Sequence, residues 1–77
     1  MEELLAYLAR QLVDRPEAVS VQRHDRPGGE LVLELRVAED DLGKVIGRGG
    51  RVARALRTVV KASAAGSGRR VHVEIGA

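Results

Sequence analysis

The sequence predicts an α+β domain in which three helices cover one face of a three-stranded sheet. Three observations carry this expectation. Three short segments alternate apolar and polar residues with a period of two. Three others repeat apolar residues at three- and four-residue spacing. Their order, helix–strand–strand–helix–helix–strand, lets two layers bury every apolar face. The 77 residues allow one domain, 1–77, with no linker, repeat or low-complexity tract inside it.

The elements follow in chain order. Residues 3–14 read as an amphipathic helix with Leu4, Leu5, Leu8 and Leu12 on one face, ending at or before Pro16. Residues 19–24 alternate, with Val19 and Val21 opposite Ser20, Gln22 and His24. Asp25-Arg26-Pro27-Gly28-Gly29 has the composition of a turn. In the clearest strand, 30–37, Leu31, Leu33, Leu35 and Val37 oppose Glu30, Glu34 and Arg36, and the two strands make a hairpin. Glu39 or Asp40 opens a short helix containing Leu42, Val45 and Ile46. Gly47-Arg48-Gly49-Gly50 breaks it. A longer helix follows over 51–64. Val52, Ala55, Leu56, Val59 and Ser63 form its core-facing side, and Arg51, Arg54, Arg57 and Lys61 the opposite side. Gly66-Ser67-Gly68 ends it, and Val71, Val73 and Ile75 alternate in a last strand.

Composition removes several function classes. There is no cysteine, hence no disulfide framework and no thiolate metal site. The N-terminus Met1-Glu2-Glu3 is acidic, unlike a secretory leader, and no apolar run reaches the roughly 18 residues of a membrane span. A cytoplasmic protein without membrane contact is expected. The net charge of +2 conceals a sharp division. Residues 1–39 hold five basic and eight acidic side chains, whereas 40–70 hold eight basic and two acidic. A concentrated basic block suits a polyanion, although a solvated helix face has the same composition.

The glycine loop sharpens this. Glycines at 47, 49 and 50 let the backbone adopt positive φ and let a ligand approach the main chain. The loop feeds a helix start, where free N–H groups favour anions, and Arg48 and Arg51 flank it. A phosphate-binding P-loop is excluded because Val45, not Ser or Thr, follows Gly43-Lys44. A dinucleotide fingerprint is excluded because Val52 stands where a third glycine is needed, and a helix precedes the loop. A tight corner between helices that binds nothing remains compatible with the four residues alone.

The run Gly43-Lys44-Val45-Ile46-Gly47-Arg48-Gly49-Gly50-Arg51, followed by Ala55-Leu56-Arg57, resembles the core of KH domains. In that family an Ile-Gly-x-x-Gly loop clamps about four single-stranded nucleotides. The element order resembles the type II arrangement, and the length and the Gly-Lys-Val-Ile-Gly run are similar to the small bacterial KH proteins of the KhpA group. The resemblance implies a mixed sheet with strand 30–37 central and parallel to 70–75. It implies a clamp at Gly47, Arg48, Gly49 and Gly50. Val45 and Ile46 lie beside the groove, with Ile46 partly in the core, and Lys44, Arg51 and Arg54 lie near phosphates. Asp25 to Gly29 form a second rim from which Arg26 reaches RNA. The implied function is single-stranded RNA binding as an RNA chaperone or post-transcriptional regulator, as a homodimer or with a Jag/KhpB-type KH partner. No enzymatic activity, cofactor, metal or small-molecule substrate is implied. One departure is visible: of the two variable loop positions, Arg48 is charged and Gly49 is not.

Other residues carry weaker signals. His24 and His72 lie on polar strand faces without metal-ligand spacing. Ser20, Ser63 and Ser67 lack a nucleophile elbow. Asp40-Asp41 reads as a helix N-cap. Val32, on a polar strand face, and Val60, at the edge of the helix stripe, are the two valines whose exposure a docking surface would need. Tyr7 is the only aromatic, so base stacking on aromatic side chains is not available as the main mode of binding.

Overall fold

The computed structural model describes residues 1–77. Helix α1 spans Glu2–Leu12, strand β1 Ser20–Asp25 and strand β2 Leu31–Arg36. Helix α2 (Leu42–Ile46), helix α3 (Arg51–Ala64) and strand β3 (Val71–Gly76) complete the chain. Single 3-10 turns at Pro16–Ala18, Glu39–Asp41, Arg48–Gly50 and Ala65–Ser67 join them. No helix is long and apolar enough to cross a membrane.

The sheet order is β1-β2-β3. β1 runs antiparallel to β2, with Val21 opposite Leu35 and His24 opposite Val32. β3 runs parallel to β2, with Leu33 opposite Val73. The sheet is therefore mixed, with β2 central, as in type II KH domains. Leu31, Leu33 and Leu35 are fully buried, and with Val71, Val73, Leu5, Val45, Leu56 and Val60 they build the core between sheet and helices. The hairpin turn closes with the Arg26 N–H donating to the Glu30 carbonyl at 2.8 Å. Gly28 and Gly29 supply its positive φ angles.

Both long helices are rotated from the orientation their large apolar residues predict. In α3 the buried stripe is Ala53, Leu56, Val60 and Ala64. Ala55, Val59 and Ser63, expected to face the core, are exposed. In α1 the buried residues are Leu5, Ala6 and Ala9, and Leu12 is 40% exposed. At about 100° per residue, each true core face lies roughly a quarter turn from the expected one. The cause is alanine: a small side chain lets a helix settle close to the sheet, so alanines take the inner stripe and larger residues move to the flank. Val60 is accordingly core, not stripe edge.

Val32 also departs from expectation. It lies on the helix-free face of the sheet, yet only 1% of it is exposed. It occupies the central strand, where His24 and His72 flank it in register as two large side chains. It offers no surface for docking.

Candidate nucleic-acid interface

The loop between α2 and α3 is built from local backbone requirements. The Gly47 N–H donates to the Gly43 carbonyl at 2.8 Å and so closes α2. Gly47 then leaves the helix at φ 75°, ψ 171°. Its missing side chain also makes room for Val52: a β-carbon there would lie 2.5 Å from Val52 Cγ2 and 2.9 Å from the Val52 nitrogen. The Gly50 N–H returns to the Gly47 carbonyl at 3.1 Å. Gly49 and Gly50, at φ 64° and 80°, are both left-handed. Around Gly49 a β-carbon would meet nothing within 4 Å, so its open surface faces solvent.

The side chains around this loop differ in exposure. Val45 is fully buried and Ile46 is 37% exposed, so of the pair Ile46 is the one that presents surface to solvent. A five-residue helix has one inward side, and Val45 takes it. Arg48, Arg51 and Arg54 are exposed. Arg54 lies next to the loop, its Nη1 3.8 Å from where a β-carbon on Gly50 would stand.

Lys44 is committed elsewhere. Its ammonium donates to Asp14 Oδ2 at 3.0 Å and to Asp41 Oδ1 at 3.5 Å. The Asp14 contact holds its pKa above the ordinary lysine value, with Asp41 adding to the effect. Asp41 in turn is 1% exposed and makes no cap to its own helix. Its carboxylate accepts the N–H groups of Asp14 at 3.2 Å and Arg15 at 3.0 Å. Burial pushes its pKa up, but the two N–H donors and Lys44 outweigh burial and hold it below the ordinary value. Lys44 and Asp41 therefore tie the end of α1 to the start of α2.

Arg26 is not brought to the loop. Its Nη1 donates to Glu30 Oε1 at 3.3 Å. The turn that carries it packs against the connection after α3, where Arg69 donates to the Gly29 carbonyl at 3.0 Å and to Asp25 Oδ1 at 2.8 Å. That connection and the glycine loop lie at opposite ends of α3, whose 14 residues rise about 20 Å.

One residue that sequence reasoning placed on the solvated face stands out. Arg57 is half-buried, and its Nε donates to the Val73 carbonyl of β3 at 3.3 Å. The rotation of α3 explains this, since it turns Arg57 toward the sheet edge. The position of alanines in the helix was the signal that could have revealed it.

The electrostatics are one-sided. No Asp or Glu occurs between Asp41 and Glu74. Arg23, Arg26 and Arg36 of the hairpin are all ion-paired. Arg48, Arg51, Arg54, Arg57 and Lys61 form no ion pair, so five cations stand uncompensated along α3 and its approach. No cluster of His, Cys, Asp and Glu has the makings of a metal site.

On the other flank of α3 the displaced aliphatic residues form an apolar groove of about 400 Å³. Leu8 and Leu12 of α1 line it with Val52, Ala55, Leu56 and Val59 of α3, and Gln11 and Arg51 are its two polar residues.

Comparison with known proteins agrees with this architecture. A protein named RNA-binding protein KhpA from Treponema pallidum is 57% identical over 74 residues, covering 96% of this chain and 91% of the relative. One of the same name from Clostridium perfringens is 50% identical over 76 residues, covering 97% and 99%. Another, from Streptomyces coelicolor, is 52% identical over 75 residues, covering 97% and 90%. Among solved structures, the fold matches part of Era, crystallised with MgGDPNP and nucleotides 1506–1542 of 16S ribosomal RNA. The TM-score is 0.69 at 22% identity, over 97% of this chain and 28% of that one. The family model described as KhpA/KhpB, KH domain matches residues 2–75, and the chain belongs to that family.

Proposed function

We propose that this domain binds single-stranded RNA by seating the sugar–phosphate backbone on the Gly47–Gly50 loop. The carrying observation is the loop itself: three glycines at positive φ beside cations that no carboxylate neutralises. Backbone N–H groups at a helix start and unpaired guanidinium groups are the chemistry that holds phosphate. The names of the relatives support the same ligand class. Arg48, Arg51 and Arg54 meet phosphates, Ile46 offers an aliphatic surface to a base, and about four nucleotides are held. Lys44, Val45 and Arg26 take no part in this clamp. The cellular role is that of an RNA chaperone or post-transcriptional regulator in the cytoplasm, exercised by binding and not by catalysis.

The test is fluorescence anisotropy with a short unstructured RNA across a salt series, for the native chain and the double variant Arg48→Asp/Gly49→Asp. Neutralising three or four phosphates gives a slope of log K against log salt of about −2 to −3. The double variant stays folded, because Gly49 is open and aspartate tolerates left-handed backbone, but it does not bind. Equal binding by both proteins refutes the loop assignment.

The apolar groove favours a second reading, compatible with the first. A face that is aliphatic apart from Gln11 and the single cation Arg51 is complementary to itself, and a two-fold pair of chains buries it twice. We assign a second copy of this chain to it. A Jag/KhpB-type KH protein is the competing occupant. Light scattering of the isolated chain separates them: a dimer that Val59→Glu converts to a folded monomer supports self-association, and a native monomer refutes it.

A further inference from the structure

We infer that Arg57 reads base identity, in distinction from Arg48, Arg51 and Arg54, which meet phosphate; the inference rests on the single-strand-binding reading above. The argument starts from the edge of the sheet. β3 pairs with β2 alone. The ladder between them is bounded by Leu31 N to Arg70 O and Val37 N to Gly76 O. A parallel ladder alternates, so the even-numbered carbonyls of β3 face β2 and the Val73 carbonyl faces the open edge. Arg57 Nε donates to that carbonyl at 3.3 Å.

This bond changes what the guanidinium is suited to. An exposed arginine such as Arg51 swings freely and serves as a diffuse positive charge. Arg57 is half-buried and held at Nε, so the orientation of its plane is set. Both Nη groups keep their N–H donors free of any carboxylate. A fixed pair of parallel donors recognises a fixed pair of adjacent acceptors. Guanine presents such a pair at O6 and N7, and cytosine presents one at O2 and N3. Adenine places an amino donor beside N7, and uracil places an N–H between its two carbonyls, so neither matches.

The position agrees. Arg57 lies six residues beyond Arg51, about 9 Å along α3 from the loop. Arg54 stands between them, one turn closer to Gly50. A strand whose phosphates meet the loop and Arg54 hangs its next base between α3 and β3, where Arg57 is fixed.

The experiment measures anisotropy binding to a heptamer of adenosines and to three derivatives carrying one central guanosine, cytidine or uridine. The native protein prefers the guanosine or the cytidine heptamer over the other two by about tenfold, and the two arms decide which base it is. Arg57→Lys, which keeps the charge and removes the fork, brings the four affinities within about twofold and leaves the salt slope unchanged. Arg54→Ala does the reverse, reducing the slope by about 0.7 while keeping the preference. Binding by the native protein without preference overturns the inference alone. So does a preference that survives in Arg57→Lys, whether the variant is less stable (Arg57 merely covers the strand edge) or less sensitive to salt (Arg57 meets phosphate). No native binding to any heptamer overturns the single-strand reading and this inference with it.

Discussion

Val52 Cγ2 lies 2.5 Å from the place a β-carbon on Gly47 would occupy. The loop entrance and the first turn of α3 are thus in contact through the backbone, and no rotamer of an alanine at 47 relieves it. Gly47→Ala therefore combines a steric shift with a left-handed φ and costs about 2–4 kcal/mol. Gly49→Ala, at similar φ but with open space around it, costs about 1 kcal/mol. Urea midpoints of the two variants check the ordering.

Lys44 is bonded to two carboxylates, and Arg51 to none. Lys44→Met consequently lowers the melting temperature and leaves the salt slope of RNA binding intact. Arg51→Ala does the opposite: it removes about 0.7 from the slope and leaves melting unchanged. A lower slope in Lys44→Met would return that lysine to the phosphate contacts.

The Asp41 carboxylate gives stability a defined acid limit. Its folded pKa is depressed, so its contribution is fully present above the ordinary value of 3.8 and is lost as pH falls through the folded pKa. The expected calorimetric outcome is a melting temperature that drops steeply below about pH 4. Asp41→Asn melts lower at neutral pH, by on the order of 10 °C, because two N–H groups lose a charged acceptor. Its further drop in acid is shallower than that of the native chain.

Adjacent valines of α3 separate core from flank. Val60 is fully buried and Val59 is 42% exposed. Val60→Ala costs about 2 kcal/mol, whereas Val59→Ala stays within about 0.5 kcal/mol in the monomer. Chemical denaturation at low protein concentration makes the comparison, and equal costs would refute the observed rotation of α3.

The strands and the order of elements were legible in the sequence because a period of two leaves little freedom: Leu31, Leu33 and Leu35 can share only one face. The glycine loop was legible because positive φ selects residue type at Gly47, Gly49 and Gly50. Helix rotation was not. Eight apolar residues wrap more than half of α3, and Leu and Val outweigh Ala in any hydrophobic count, although Ala53 and Ala64 face inward. The surroundings of the candidate site residues follow from facts of the same kind. Val45 is fully buried and Ile46 only partly, because a single turn has one inner side. Lys44 found Asp14, thirty residues earlier in the chain, a pairing that spacing along the sequence does not encode.

Arg57 has a consequence for the protein before it meets any ligand. A sheet edge left bare is a template on which another chain can polymerise, and β3 carries the aliphatic sequence Val71, Val73, Ile75 along such an edge. A guanidinium bonded to the middle carbonyl interrupts that template with a charge. The same side chain that is offered to a base therefore acts as a gatekeeper against aggregation while no base is bound, and its replacement endangers solubility at high concentration even where the fold survives.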